Sequence, residues 1–229
     1  MAIIRGPNQT AHAAMEAFNR FQSAIDLFDA IHALDPNVET LDGQPFPAAV
    51  LYARRMTQWL AKLEPNASET LRLAAYSQHL KRWEIPRSTY PMDRAGYHRW
   101  RTALAGFHAD EAGRVLRKAR YDNATISRVQ SLVRKERLKA DPEVQLLEDV
   151  ACLVFLEFYF AEFSERHDDQ KLIGILRRTW KKMSPRGHAA ATKLEFPPGK
   201  RALVEKALGD ETSGEGQVFP PSPFGRGTG

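Results

Sequence analysis

The side chains best suited to binding or catalysis lie in two short segments of the 229-residue chain. In the first segment, an apolar stretch turns polar at Gln78 and continues as His79-Leu80-Lys81-Arg82-Trp83. On a helix, His79 would share one face with Arg82 and Trp83, which follow three and four residues later. Arg82 could hold a phosphate or carboxylate through two hydrogen bonds, and Trp83 offers a flat surface for stacking. The segment therefore predicts a site for a small anionic ligand, with contacts from Gln78, Arg82, Trp83, Arg87 and Arg94.

A second interpretation of this segment involves packing alone. Trp83 would lie in the core, Arg82 would pair with Glu84 or Glu148, and His79 would be hydrogen-bonded. The spacing of the residues does not choose between the two interpretations.

The second segment, 147–153, places Glu148 and Asp149 directly before the most apolar run of the chain. Burying a carboxylate is costly unless it binds a cation, pairs with a basic side chain or caps another element. For Asp149, the alternatives are a buried ion pair and a metal-binding or catalytic role. The candidate basic partners are Arg54, Arg55, Lys81, Arg82 and Arg87.

The order of these segments resembles the HD-domain superfamily of helical metal-dependent phosphohydrolases, over about residues 48–157. In that superfamily a histidine, a His-Asp pair and a distal aspartate form the site; here Tyr52, Gln78 and His79 stand at the first three positions, and Asp149 keeps its type. Tyrosine and glutamine are poor ligands for a transition metal, so the standard dinuclear centre is not expected. The resemblance implies hydrolysis of a phosphoester and a divalent metal ion in a rebuilt site. The residues it implies are His79, Asp149 and either His98 or His108 as metal ligands, with His79, Asp149 and Glu148 as catalytic residues.

A closer resemblance is to an uncharacterised bacterial and fungal family, domain-of-unknown-function family 4202. The segments that carry it are 78–87, 90–97, 147–157 and 179–184, within a span of about 21–184. This resemblance implies a fold family and supplies no activity.

The charge distribution favours an anionic partner. The formal net charge is +5. Residues 81–139 carry fifteen Lys and Arg against six Asp and Glu, 141–166 carry one base and seven acids, and 168–209 carry ten bases and four acids. Basic stretches on both sides of an acidic helix predict a site for a phosphate ester or nucleotide, with nucleic acid as the less favoured partner. The alternative is a set of solvated helix faces with scattered counter-charges.

Nearly every segment has the periodicity of a helix, and no run alternates like a strand. We predict helices at 11–35, 48–63, from the cap-type residues 66–69 toward 83, and at 93–104, 109–119, 124–138, 144–163, 168–183 and 200–208. His108 falls at one of these helix starts, where a surface or capping role is expected. The residues around 184–187 are expected to stop a helix.

These patterns predict an all-α fold with one multi-helix, HD-like domain over residues 1–208 (HD-like core about 48–183) and a disordered tail over 209–229. The single cysteine, Cys152, excludes an internal disulfide and is expected to pack as a small apolar residue. No apolar run is long enough to cross a membrane, and no signal peptide is recognisable, so a soluble cytoplasmic protein is expected.

The leading functional hypothesis is an HD-like helical protein that binds a small phosphorylated or otherwise anionic ligand and, if it is an enzyme, hydrolyses a phosphoester with a divalent metal ion. The alternative is a degenerate, non-catalytic domain that binds a nucleotide or a partner and regulates. A third hypothesis is an RNA-associated accessory protein.

Overall fold

The computed structural model describes residues 7–209, and within them the all-α class is confirmed. Helices and strands follow one another as α1 (Pro7–His32), β1 (Val38–Leu41), β2 (Gln44–Pro47), α2 (Ala48–Leu63), α3 (Glu69–Tyr76), α4 (Arg94–Lys118), α5 (Asn123–Arg134), α6 (Pro142–Val154), α7 (Phe160–Ser164), α8 (Asp169–Lys182), α9 (Pro185–Ala191) and α10 (Pro198–Gly209). Short 3₁₀ turns occupy Arg82–Glu84 and Arg87–Thr89, and a π-helical turn, Phe155–Tyr159, joins α6 to α7. The predicted disordered tail lies outside the described residues apart from Gly209.

Polar side chains start several of these helices at the positions that the sequence indicates. The hydroxyl of Ser68 accepts from the backbone N–H of Leu71, which begins α3. The carboxylate of Asp141 accepts from the N–H groups of Glu143 and Val144, and Pro142 follows it at the first position of α6. Such caps satisfy N–H groups that have no partner inside a helix.

The expectation that no strand forms is wrong for one small element. β1 and β2 form an antiparallel hairpin between the predicted helices 11–35 and 48–63. Asp42 and Gly43, at φ 51° and 76°, make its turn. An Asp-Gly pair is a strong signal for such a turn, because both central residues need positive φ.

Several predicted helix boundaries also differ from those of the structure. The segments 93–104 and 109–119 form one continuous helix, α4, in which a side chain at Gly106 would meet open space, so nothing there forces a break. Residues 185–191 form helix α9, because Ser184 caps it and Pro185 stands at its first turn. The predicted helix 144–163 is interrupted by the π-helical turn before α7.

Helix α6 is central to the fold and packs against α2, α3, α5, α8 and α9. Its residues Val144, Leu147 and Val150 are fully buried, as are Phe28 of α1 and Phe160 of α7. Helix α4 packs along α5, and α10 along α8. In the described part of the chain, no helix combines the length and apolar character needed to span a bilayer.

Candidate functional site

A small cleft with a cavity volume of about 70 Å³, partly open to solvent, lies where the hairpin, the start of α2, the turn after α3 and the segment around Tyr159 meet. We call it the His79 cleft. The more buried part of its lining contains Tyr52, Arg82 and Tyr159, next to His79 and Trp83. The more exposed part contains the carboxylates of Asp35, Glu39 and Glu162.

His79, Arg82 and Trp83 reach this cleft from a turn and not from one helix face. Helix α3, expected to run toward residue 83, ends at Tyr76, and Lys81 adopts a left-handed conformation with φ 54°. The chain therefore changes direction before Arg82. The expectation of a shared helix face is wrong, although the three side chains line the same cleft.

The imidazole of His79 is stacked on the ring of Tyr52, with ring centroids 4.1 Å apart and planes at 15°. Burial lowers the pKa of His79 well below its usual value, and the charges of Arg82, Arg101 and Lys135 act in the same direction. His79 is therefore a neutral imidazole at neutral pH. It can donate a hydrogen bond from one ring nitrogen and accept one at the other.

Arg82 is the charged group most deeply placed on the cleft wall, with 9% of its surface exposed. Its guanidinium lies 4.9 Å from the ring centroid of Trp100, a cation–π contact that holds the planar group in place. Burial and the positive charge of Arg101 lower the pKa of Arg82 to about 9, so the group stays charged at neutral pH.

The acidic side chains of the cleft take part in local contacts. Asp35 accepts from the N–H of Ala49 at 2.9 Å, which satisfies the start of α2. Glu39 accepts from Arg55 at 2.6 Å, and the same Arg55 nitrogen donates to the hydroxyl of Tyr159 at 2.6 Å. Glu162 accepts from Arg166 at 2.5 Å. The contacts of Arg55 hold the hairpin and the π-helical turn beside α2, whereas the Glu162–Arg166 pair is local to the end of α7.

Glu148 is buried among basic side chains. It forms an ion pair with Lys135, and its second oxygen lies 3.8 Å from Nζ of Lys182. Burial alone would raise the pKa of Glu148, but Lys135, Lys182 and Arg101 outweigh that effect and lower it to about 2. The basic partners proposed from the sequence are therefore not those that the structure places beside Glu148.

Asp149, 1% exposed, faces a different part of the molecule. Its carboxylate accepts from the backbone N–H of Ser184 at 2.8 Å, from the Ser184 hydroxyl, and from Nε2 of Gln145 at 3.0 Å. Ser184 is the N-cap of α9. Asp149 therefore supports the cap of α9, a role expected from the sequence for a buried acid in general and not for Asp149 itself.

The other predicted contact residues have separate positions. Gln78 is buried, and its Nε2 donates to the carbonyl of Val133 at 3.5 Å. Arg87 donates to the carbonyls of Tyr90 and Pro91 at 2.9 and 2.7 Å, which holds the connection before α4 in its turn. Arg94 is exposed at the start of α4.

His108 is not at a helix start but in the interior of α4, where it is 2% exposed. Its Nδ1 donates to the carbonyl of Leu80 at 2.6 Å, and its ring centroid lies 5.7 Å from that of His79. Burial and the charge of Arg82 lower the pKa of His108 to about 3. His108 lies in the core and not at the expected surface position, because α4 continues as a helix through residue 106.

The divalent metal ion implied by the resemblance needs a set of donor atoms on one centre. Within residues 7–209, no three His, Cys, Asp or Glu side chains form a group that could hold one. His79 and His108 lie side by side, whereas Asp149 is bonded to Ser184 and Gln145. The predicted donor set does not surround one centre in this arrangement and does not fit a metal.

Sequence reasoning did not identify Arg101 and Lys135 as site residues. Arg101 of α4 acts electrostatically on His79, Arg82 and Glu148, and Lys135, at the end of α5, acts on His79 and Glu148. Their place in the local excess of basic residues over 81–139 was the one available signal. Which of those fifteen bases reach the site depends on how α4 and α5 pack.

One family model matches the part of the chain that forms this site. The family model described as a domain of unknown function, DUF4202, matches residues 22–204. The chain belongs to this family. The DUF4202 match covers every residue of the His79 cleft and of the cluster around Glu148. No curated protein and no solved structure matches the chain.

Proposed function

We propose that this DUF4202 chain binds a small phosphorylated ligand in the His79 cleft. The observation that carries the proposal is the buried, charged guanidinium of Arg82 on the cleft wall, beside the neutral imidazole of His79. A guanidinium donates two parallel hydrogen bonds to phosphate oxygens, and the imidazole adds a third donor. Arg101 and Lys135 increase the positive potential that a phosphate would meet there.

The rest of the cleft suggests what the phosphate is attached to. Tyr52, Trp83 and Tyr159 supply aromatic surface, which suits a sugar or base ring. Asp35 and Glu39, on the more exposed side, accept hydrogen bonds from hydroxyl or amino groups. A sugar phosphate or a nucleotide combines these features in one small molecule.

Titration with inorganic phosphate by calorimetry tests the proposal. We expect Arg82→Met to raise the dissociation constant at least about tenfold, since one good charge-assisted contact contributes about 1.4 kcal/mol or more. Arg54→Met is the matched control, because Arg54 is exposed on α2 and contacts Phe46 outside the cleft, at 5.4 Å. Equal affinity in the two variants, or no binding by the wild type, would contradict the proposal.

The more specific hypothesis is that the protein is an HD-like hydrolase of phosphoesters. One feature of the cleft favours it. Neutral His79 adjoins Arg82 and can take a proton from a water that attacks phosphorus. The ester P–O bond then breaks, the leaving alcohol oxygen is protonated from solvent, and Arg82 stabilises the charge on the phosphoryl oxygens. This step needs only water as the second reactant.

Hydrolysis of p-nitrophenyl phosphate, assayed with added Mn²⁺ and separately with chelator, tests this hypothesis. We expect His79→Gln to lose turnover while it retains phosphate binding. Phosphate binding without turnover under either condition would instead support the alternative function, a non-catalytic nucleotide- or partner-binding regulatory domain. A requirement for Mn²⁺ would support a divalent metal ion held by donors other than His79, His108 and Asp149 together.

A further inference from the structure

Helix α8 places two basic side chains near Glu148 and Tyr97, which act electrostatically on Tyr52 and Arg82 of the His79 cleft. Arg178 and Lys182 are four residues apart and therefore share a face of the helix. Nζ of Lys182 lies 3.8 Å from Glu148 of α6, and Tyr97 of α4 acts electrostatically on Arg178. The neighbouring Arg177 faces elsewhere, since its Nε donates to the carbonyl of Ala207 in α10.

Arg178 has hydrogen-bonding capacity that the protein does not use. Its Nε and Nη2 are buried and have no hydrogen-bond partner among residues 7–209. Buried donors without an acceptor are rare and costly, so such a group in a native structure points to a partner outside the chain. A guanidinium is matched best by a phosphate or a carboxylate.

The neighbours of Arg178 connect it with the proposed ligand site. Tyr97 acts electrostatically on both Arg178 and Arg82. Its ring centroid lies 5.9 Å from that of Trp100, the ring that the guanidinium of Arg82 contacts at 4.9 Å. Arg101, one helical turn after Tyr97 on α4, acts on Arg82 and on Glu148. The positive side chains of α4 and α8 thus continue from Arg82 as one region.

The charge of this region is not balanced by its central acid. Glu148 is surrounded by Lys135, Lys182 and Arg101 and is already paired with Lys135. Arg101 is exposed and the side chain of Lys182 is 53% exposed, so both can move toward a bound group from the solvent side. The three bases and Glu148 leave a net charge of +2, which a phosphate group with close to two negative charges would balance.

We propose that Arg178, Arg101 and Lys182 form a second anion subsite next to the His79 cleft, so that the ligand carries two phosphate groups. One phosphate binds at Arg82 and His79, and the other binds between α4 and α8. The ligand class is therefore a bisphosphate or diphosphate. This inference rests on the proposed function, because Arg82 supplies the first of the two subsites.

The test compares the dissociation constants of inorganic phosphate and pyrophosphate, measured by calorimetry on the full chain. We expect the wild type to bind pyrophosphate at least about tenfold more tightly than phosphate. In Arg178→Met this preference should fall below about threefold, while the affinity for phosphate changes less than about threefold. Arg177→Met, which removes the same charge from the next residue of α8, should keep the wild-type preference.

Lys182→Met repeats the test at an exposed position where loss of folding is not expected, and it should also reduce the preference for pyrophosphate. Equal wild-type affinity for the two anions, or an equal loss in Arg177→Met and Arg178→Met, would overturn the second subsite. In both cases phosphate binding that depends on Arg82 would leave the proposed function standing. Absence of binding by either anion would overturn the proposed function and the second subsite together.

Discussion

Glu148 and Asp149 are consecutive residues of α6, both buried, but the neighbours of the two carboxylates differ in kind. Asp149 accepts hydrogen bonds from Ser184 and Gln145, which carry no net charge. Glu148 lies between Lys135 and Lys182 and feels the charge of Arg101. Asp149 therefore joins α6 to α9, and Glu148 lowers the positive electrostatic potential of the bases around it.

The difference shows how a buried acid can be assigned a role from its partners. A carboxylate held by neutral donors stabilises the arrangement of those donors, and removing it leaves them without an acceptor. A carboxylate held by several cations lowers a local potential, and removing it leaves the potential more positive. We therefore expect changes at Asp149 to affect stability, and changes at Glu148 to affect both stability and anion affinity.

The largest expected effect is that of Asp149→Ala. This change leaves the N–H and hydroxyl of Ser184 without their acceptor at the junction of α8 and α9. We expect a loss of about 3 kcal/mol in the free energy of unfolding, measured with urea. Asp110→Ala, which removes an exposed ion pair with Arg134, should cost less than about 1 kcal/mol. Equal costs at the two positions would remove the structural role given to Asp149.

Glu148→Gln should cost about 2 kcal/mol at pH 7, because the variant loses the ion pair with Lys135 in a partly screened setting. The pKa of Glu148 is lowered in the fold from 4.5 to about 2, so its contribution is complete above pH 4.5 and is lost as the pH falls toward 2. The gap between wild type and variant should close over that range in urea titrations at successive pH values.

The same Glu148→Gln protein should bind phosphate roughly threefold more tightly, since a nearby negative charge has been removed. Weaker binding in this variant would contradict the electrostatic role of Glu148.

Gly187→Ala tests how closely α9 packs against Asp149 of α6. A Cβ at Gly187 would lie 2.8 Å from Cγ of Asp149, whose hydrogen bonds restrict its movement. We expect a loss of about 1.5 kcal/mol from this overpacking, visible as a lower melting temperature. Gly106→Ala, where a Cβ meets open space inside α4, should be neutral or stabilising by about 0.5 to 1 kcal/mol. An equal change in melting temperature for Gly187→Ala and Gly106→Ala would argue against close packing at Asp149.

The smallest of the expected stability effects is that of His108 between pH 6 and 5. Its pKa is lowered in the fold from 6.5 to about 3, so neutral His108 contributes stability above pH 6.5 that is lost as the pH falls toward 3. Between pH 6 and 5, the wild type should lose about 1 kcal/mol more than His108→Asn, which retains a donor for the Leu80 carbonyl. His98→Asn, at an exposed position of the same helix, should follow the wild type.

Much of the helical framework could be predicted from local signals. Helix α2 has the predicted bounds, 48–63, and the caps at Ser68 and Asp141 lie where the residue types indicate. The errors have local causes as well. Ser184-Pro185 was interpreted as a helix stop, although a capping serine followed by proline is equally typical of a helix start.

The candidate site could be predicted less completely, because its charges come from distant segments. The segment with His79 and Arg82 contributes to one cleft, as its residue types suggest. The basic partners of Glu148 come from the end of α5 and from α8, thirteen and thirty-four residues away. No spacing rule connects such positions, since α5 and α8 meet α6 only after the helices pack.

The most direct test of the central claim is to observe the imidazole of His79 while inorganic phosphate is added. Long-range ¹H–¹⁵N spectra resolve the ring nitrogens of each histidine, and His79→Gln assigns the signal. We predict a saturable shift at His79, with little change at His188, which is stacked on Trp180 outside the cleft. The shift should disappear in Arg82→Met. A titration that leaves the His79 signal unchanged, or shifts both histidines alike, would contradict an anion site in the His79 cleft.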